Sequence, residues 1–328
     1  MHALVVLLAA VVVGTWNGNW FPSGRAEHRA HPDVEDATIT AVAQMLAHGL
    51  DAVDPQRTND VILCLNEIRG PRVASNLVAR IGRTNLVVAS ISAYRRRDRF
   101  DQQQDVIVTT LPVVEKGWKK WTPAGKRTPP RGYAFAALQL DPATTAAVYA
   151  VHLKSNYRAK GKEAKDLNRD KRTVAVEQLL AQEERAGRGR PVLVAGDMNA
   201  DKWRKEFADE KIFGLFDAAR FLNLLSILPP ESRGTHPSRR YGDSALDYVF
   251  SRGFRPLASP RLEPNEELSD HNALFALLGV DGREPNDDRA RPVAEGEGFE
   301  PPRPCGPPVF KTGAINHSAI PPANARIL

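Results

Sequence analysis

Residues 191–200, PVLVAGDMNA, constrain the fold more than any other stretch of the chain. Val192 to Ala195 form an unbroken apolar run, which is how a strand covered on both faces reads. Gly196 lets the backbone turn out of the run. Asp197 and Asn199 follow at i and i+2, on one side of an extended backbone. Gly, Asp and Asn are also what turns are made of, so this stretch alone does not separate a turn from a site. Other apolar runs bounded by polar groups tip the balance. VVVGTWNGNW (11–20), DVILCLNEIRG (60–70) and AAVYAVHLKSN (146–156) end that way, and SALDYVFS (244–251) and LSDHNALFALLGV (268–280) carry the polar group inside or ahead of the run. Several buried strands with polar ends, separated by helical stretches, describe a layered α/β fold with a cleft where strand ends converge.

Each run delivers particular groups. The first brings Asn17 and Asn19 out on a common side, as buried amides needing partners or as an Asx turn. Residues 36–49 place Ile39, Val42, Ala43, Leu46 and Ala47 on one helical face, with Asp36 as N-cap and Gly49 as the stop. The second run ends in Asn66-Glu67, where a glutamate can bind a hard divalent cation or pair with Arg69 or Arg72. Residues 86–91 and 105–110 read as a strand pair. The loop between them, 94–104, carries Arg95, Arg96, Arg97 and Arg99 with Tyr94 and Phe100. In KGWKKWTPAGK (116–126), Trp118 and Trp121 lie between lysines. Both stretches suit phosphate and base contacts, and both also read as solvated loops.

Residues 134–140 and 146–151 form a hairpin around Asp141-Pro142, ending with His152 and Lys154 on one side. That histidine is a structural residue, or a group that protonates a leaving oxygen or holds a phosphate. Residues 160–182 follow as a basic amphipathic helix or helix pair, and 203–228 as a mixed, largely helical region. Asp247 interrupts an apolar strand, and a histidine is the commonest catalytic partner of such a carboxylate. Asp270 and His271, side by side ahead of the last strand, offer a metal ligand and a proton-transfer group together.

A chain of 328 residues holds one large α/β domain or two ordinary ones. The body, residues 1–280, is set apart from a Pro-rich tail, 281–328, that reads as disordered. GFEPP (298–302) can be encoded by an inverted repeat like that of a tRNA T arm, so the tail also reads as a translation artefact. The net charge is +6, and the tail holds six basic against seven acidic residues, so the body carries +7. A basic body favours a polyanionic partner only weakly. Two cysteines, Cys64 and Cys305, exclude a disulfide framework, and without CxxC spacing there is no usual structural zinc site. The ten-residue apolar run at 4–13 is too short to span a membrane. It reads as a buried strand or as an export signal, although no basic residue precedes it, so the compartment is cytoplasmic or secreted/periplasmic.

WNGN (16–19), LNE (65–67), HLKS (152–155), GDMN (196–199), LDYVF (246–250) and SDH (269–271) together resemble the motif series of the endonuclease/exonuclease/phosphatase superfamily. The motifs occur in the family's order across residues 11–280. The resemblance implies a four-layer αββα sandwich of two packed mixed sheets, deoxyribonuclease-I-like, with the site at one end. It implies a Mg²⁺- or Mn²⁺-dependent phosphoesterase that uses water to cleave phosphodiester bonds. A nuclease comes first, then a phosphatase or phospholipase-type phosphodiesterase on a small or lipid substrate, then a non-catalytic binding module. Nucleic acid is therefore the expected partner, with a small phosphoester or lipid headgroup as the alternative, and the chain is expected to be a monomer.

The roles implied are Glu67 and Asp270 on the metal, with Asn17 beside them ordering the carboxylate or the phosphate. Asp197 is the base for water, Asn199 a donor to the phosphoryl oxygens, and Asp247 the holder of His271. His152 is a second histidine, and Lys154, Asn19 and Arg96 bind substrate. Two departures stand out. Asn66 occupies a position where the family commonly has Gln. The glutamate that supports the counterpart of His152 in the deoxyribonuclease-like branch has no convincing match between Leu86 and Asp105.

Overall fold

The computed structural model describes residues 10–23, 32–96, 99–100, 103–186, 189–239, 242–265 and 267–280. The chain divides into two units, Met1–Gly282 and Arg283–Leu328. The proline-rich tail with Cys305, and residues 4–9 of the first apolar run, lie outside the described residues.

The unit begins β1 (Ala10–Phe21), α1 (Pro32–Val53), β2 (Asp60–Ile68), α2 (Pro71–Ile81), β3 (Val87–Ile91), β4 (Arg95–Arg96), β5 (Arg99–Phe100) and β6 (Gln104–Thr109). It continues β7 (Val113–Lys120), β8 (Gly132–Asp141), β9 (Thr144–His152), α3 (Gly161–Arg185), β10 (Val192–Asp197), α4 (Ile212–Ala218) and β11 (Leu222–Asn223). The last strands are β12 (Asp247–Arg252), β13 (Phe254–Pro256), β14 (Arg261–Glu263) and β15 (Ala273–Val280). One mixed sheet runs β13-β15-β1-β2-β6-β3, with β14 also on β15, and a second runs β11-β12-β10-β9-β8-β7.

The unbroken apolar runs follow from burial on both faces. In the first sheet Val11, Val13, Ile62, Cys64 and Ile107 pack with residues of the second sheet such as Ala134, Val148 and Tyr149. The alternate residues Val12, Trp16, Val61, Leu63 and Leu65 pack with Val42, Leu46 and Leu50 of α1 and Val73 and Leu77 of α2. Residues Ala175, Val176 and Leu179 of α3 and Phe213 and Phe216 of α4 join the core of the second sheet. The result is the expected sandwich, helices outside and two sheets within.

Several local expectations give way. Asp36 does not cap α1, which begins at Pro32, and Gly49 does not stop it, since the helix runs on to Val53. A Cβ at Gly49 would lie 2.1 Å from the Phe275 ring, so the glycine is there to let α1 approach β15. Of the Lys/Trp stretch 116–126, residues 116–120 are not a loop but the end of the edge strand β7, which is mostly exposed. Of the stretch 160–182, residues 161–182 belong to one helix, α3, with Lys160 ahead of it, and the mixed region after Trp203 holds one short α-helix, α4. Tyr94 and Trp121, read as base-stacking candidates, are buried, whereas Trp118 is 39% exposed.

Strand direction places the site. β1 runs parallel to β2, and β9 parallel to β10. β15 and β12 run antiparallel to β1 and β10 respectively, so they start where those strands finish. The polar groups at 17, 67, 152, 197, 247 and 271 therefore gather at one end of the sandwich.

Candidate active site

Asp197 is the centre of the cluster. Across from it on β1, the Asn17 amide Nδ2 donates to Asp197 Oδ2 at 2.9 Å, while Asn17 Oδ1 accepts the Asn19 backbone N–H at 3.0 Å. From β2, Asn66 Oδ1 accepts the backbone N–H of Asp197 at 3.0 Å. Both contacts cross from one sheet to the other. Gly196 makes the approach possible: its φ is 140°, and a Cβ there would lie 1.9 Å from the Val151 carbonyl oxygen and 2.7 Å from Asn66 Oδ1. Asn199 reaches Asp197 by a route the sequence did not suggest. β10 ends at Asp197, and Asn199 has φ 52°, so the backbone turns and is not extended. Its backbone N–H donates to Asp197 Oδ1 at 2.7 Å, and its Nδ2 donates to Asp197 Oδ2 at 2.8 Å and to the Leu153 carbonyl at 3.2 Å. With both amide hydrogens engaged, Asn199 orients Asp197.

Beside this carboxylate stands the pair Asp247–His271. His271 Nδ1 donates to Asp247 Oδ2 at 2.7 Å, and both residues are buried. Thr235 Oγ1 accepts the backbone N–H groups of Leu246 and Asp247, which fixes the start of β12. Ser269 Oγ donates to the Asn17 carbonyl and accepts the His271 N–H, tying the SDH loop to β1. Burial works against charge on His271, but the negative charge and hydrogen bond of Asp247, with Asp197 and Asp270 nearby, push it up to about 10. The ring is held as an imidazolium with Nε2 3.8 Å from Asp270 Oδ1. Asp270 itself is half-exposed; against the effect of burial, a hydrogen bond from His236 and the charges of His271 and His236 hold it below the usual carboxylate range.

Glu67 and His152 complete the floor. Glu67 has φ 60°, and its Oε2 accepts the Trp20 backbone N–H at 3.0 Å. Its Oε1 lies 3.6 Å from His152 Nε2, which is also 3.5 Å from Asp197 Oδ2. Burial raises Glu67, opposed by a hydrogen bond from Gln103 and the charge of Arg131. Burial and the charge of Asp247 push Asp197 up to about 7. Burial, with Arg131, His271 and Lys154 nearby, keeps His152 well below the usual imidazole range, so it is neutral. Carboxylates crowded into a dry site resist ionisation because water cannot solvate their charges. An oxygen-seeking divalent cation beside Glu67 would relieve that penalty, and the donor set fits one, with a buried carboxylate and the half-exposed Asp270 at its rim.

The other candidates are placed less centrally. Asn19 joins through its backbone N–H, at a break in the register between β1 and β2. Asn17 faces Asp197, with its oxygen on the Asn19 N–H; its contacts run to the carboxylate and not to Glu67. Lys154 is half-buried, with Nζ donating to the Ser155 carbonyl, and burial and Arg131 lower it. Arg96 lies in β4, and its side chain is outside the described residues. Among the described residues no carboxylate holds His152 Nδ1, which is buried without a hydrogen-bond partner there.

Three contributors went unnoticed. Asp105 accepts from Asn66 Nδ2 at 2.7 Å and from the Tyr94 hydroxyl at 2.9 Å, so it fixes the amide that fixes Asp197. A carboxylate heading an apolar strand was the available signal. Arg131 donates to the carbonyls of His152 and Leu153. His236 packs edge-on against His271, with 4.8 Å between ring centroids, and a lone histidine in a Pro/Ser/Arg loop gave no sign of it.

Solved structures with the same fold are numerous. An endonuclease/exonuclease/phosphatase from Beutenbergia cavernae is 15% identical with a TM-score of 0.58, over 84% of this chain and 72% of its own. TDP2 from Caenorhabditis elegans is 15% identical with a TM-score of 0.52, over 83% and 76%. Sphingomyelinase C from Streptomyces griseocarneus is 18% identical with a TM-score of 0.53, over 83% and 99%. At such identities the likeness is one of fold. No curated protein sequence matches significantly. The family model described as Endonuclease/Exonuclease/phosphatase family matches residues 14–271, most of the chain and every motif of the site. The chain belongs to the endonuclease/exonuclease/phosphatase family.

Proposed function

We propose that this chain is a divalent-cation-dependent phosphodiesterase whose substrate is nucleic acid, cleaved by water attack. The observation that carries the reading is Asp197, held from both sheets and from its own turn, beside a carboxylate–imidazolium pair. Glu67 and Asp270 would hold Mg²⁺ or Mn²⁺, which when bound would neutralise the phosphate and stabilise the leaving oxygen. Asp197 takes the proton from the attacking water; its position near 7 suits a base working at neutral pH. The His271 imidazolium donates from Nε2 to a phosphoryl oxygen, and Asp247 maintains its charge. Asn17 and Asn199 fix the orientation of Asp197, and the second amide hydrogen of Asn17 is available to the phosphate. His152 is a neutral donor to the phosphoryl group or leaving oxygen, and Lys154 lies beside it. The choice of nucleic acid rests on the basic body and on the cations Arg131 and Lys154 at the site. Residues 1–280 carry the activity and 281–328 add nothing to it.

The test uses the full chain with Mg²⁺ or Mn²⁺ on plasmid DNA, single-stranded RNA and bis-p-nitrophenyl phosphate. Asp197→Asn, His271→Ala and a chelator serve as controls. Nicking or RNA cleavage that all three controls abolish, and that falls steeply with added salt, is the expected result. Hydrolysis of the small diester alone would overturn the nucleic-acid assignment and redirect it to a metabolite or a lipid headgroup, a sphingomyelinase C being among the proteins that share the fold. Silence on all three substrates would overturn the phosphodiesterase reading.

A further inference from the structure

A second histidine closes on Asp270 from outside the Asp197 cluster. His236 lies in the segment ahead of β12, where its backbone pairs with Ser244 in both directions, at 2.8 and 3.0 Å. That pairing fixes where the ring starts. Its Nε2 is 3.7 Å from Asp270 Oδ2, while His271 Nε2 approaches Asp270 Oδ1 at 3.8 Å from the other side. One ligand atom each from His236, Asp270 and His271 lies within 4.8 Å of the others. His271 Nδ1 is committed to Asp247, which leaves Nε2 as its coordinating atom. A carboxylate on the far nitrogen is the arrangement that orients metal-binding imidazoles and strengthens them as ligands.

The donor set differs in kind from the one around Glu67. Two imidazoles and one carboxylate suit a borderline transition metal such as Zn²⁺, whereas Mg²⁺ prefers an octahedron of oxygens. A tetrahedral ion with bonds of about 2.0–2.1 Å needs its ligands roughly 3.4 Å apart, closer than the spacing here, where the three ligand atoms lie within 4.8 Å of one another and the two imidazoles face different oxygens of Asp270. Asp270, half-exposed, and His236, whose side chain is 28% exposed, have the freedom to close that gap.

We propose that His236, Asp270 and His271 form a Zn²⁺ site that shares Asp270 with the Mg²⁺ or Mn²⁺ position at Glu67. Filling it occupies Asp270 and the Nε2 of His271, so Zn²⁺ inhibits the phosphoester chemistry. The inhibitory half rests on the function proposed above; the binding half does not. Uptake of the ion displaces the proton on Nε2, and the charge of the metal takes the place of the imidazolium's.

The experiment titrates the full chain with Co²⁺, followed by its visible absorption, and then displaces it with Zn²⁺, with no substrate present. The expected result is one equivalent of a four- or five-coordinate ion, displaced by Zn²⁺. His236→Gln should weaken binding by at least about 10- to 100-fold, the cost of losing even a group that only supports a ligand, because here a ligand itself is lost. His48→Gln, a histidine paired with Glu263 elsewhere on the surface, should change nothing. In the Mg²⁺-supported assay, and relative to its own uninhibited rate, His236→Gln should need at least tenfold more Zn²⁺ for half-inhibition. Wild-type binding in a folded His236→Gln chain, or no visible band in the wild type, would overturn the site. Binding without inhibition of a working enzyme would overturn the inhibitory half. If no substrate is turned over with any metal, the function proposed above has failed, while the Co²⁺ titration still decides the site.

Discussion

Replacing Asp247 by Asn keeps the shape of the His271 pair and removes the charge that keeps the ring protonated. The turnover of Asp247→Asn should fall by about 10²–10⁴, as when a carboxylate partner is taken from a catalytic histidine. NMR of the ring should show it titrating lower than in the wild type. Unchanged turnover would remove Asp247 from the mechanism. Asp105 gives a different test because its effect is on stability. Burial pushes it up to about 7, against the opposing charge of Arg131 and its bonds to Asn66 and Tyr94. The folded chain therefore holds this proton where the unfolded chain has released it. Between the ordinary aspartate value of 3.8 and about 7, the wild type loses stability from this group as pH rises. Asp105→Asn forfeits an acceptor, at roughly 1–3 kcal/mol, but escapes that loss. The stability gap between the two chains should narrow from pH ~4 to ~7 in urea melts; a gap that stays constant or widens would show that Asp105 is ionised throughout.

At the scale of elements, two glycines separate what sequence pattern conveys from what packing decides. Gly196→Ala must accept φ 140° and a Cβ 1.9 Å from a backbone oxygen that cannot move aside. A loss of at least about 3 kcal/mol is expected, with activity gone because the Asn66–Asp197 contact is displaced. Gly49→Ala would gain about 1 kcal/mol of helix propensity. It sets a methyl against the fully buried Phe275 ring, and overpacking of about 1–3 kcal/mol outweighs the gain. Thermal melts of both variants settle the signs. Gly196, expected to turn the backbone out of the run, lies inside β10 instead, where the lack of a side chain lets Val151 and Asn66 come close. Gly49 was misread as a helix stop because its partner is over two hundred residues away, and no local pattern reports such a contact. The ends of runs at Asn17, Glu67, His152 and Asp197, and the starts of runs at Asp247 and His271, were legible because a polar group at the edge of an apolar run is a local signal. Asp105 carried the same signal and was passed over; Arg131 and His236 carried none, because their importance lies wholly in the contacts they make across the fold.

For the molecule as a whole, the division after Gly282 predicts that a chain ending there melts at the same temperature as the full chain and retains its activity. A fall of more than a few degrees would show that residues 283–328 contribute to the fold. The proposed site depends on both sheets, since Asn17 and Asn66 reach Asp197 only when the sheets are packed together. Activity should therefore disappear together with tertiary structure in a denaturant series, with no active form surviving on one sheet. The same interface encloses Cys64, fully buried on β2 with its thiol pushed up by burial and by the charge of Asp105. A thiol that cannot ionise cannot react, so in a Cys305→Ser chain the uptake of a thiol reagent by Cys64 counts the moments when the sheets part. The protein thus carries its own clock for the opening of its sandwich, wound by a single sulfur atom.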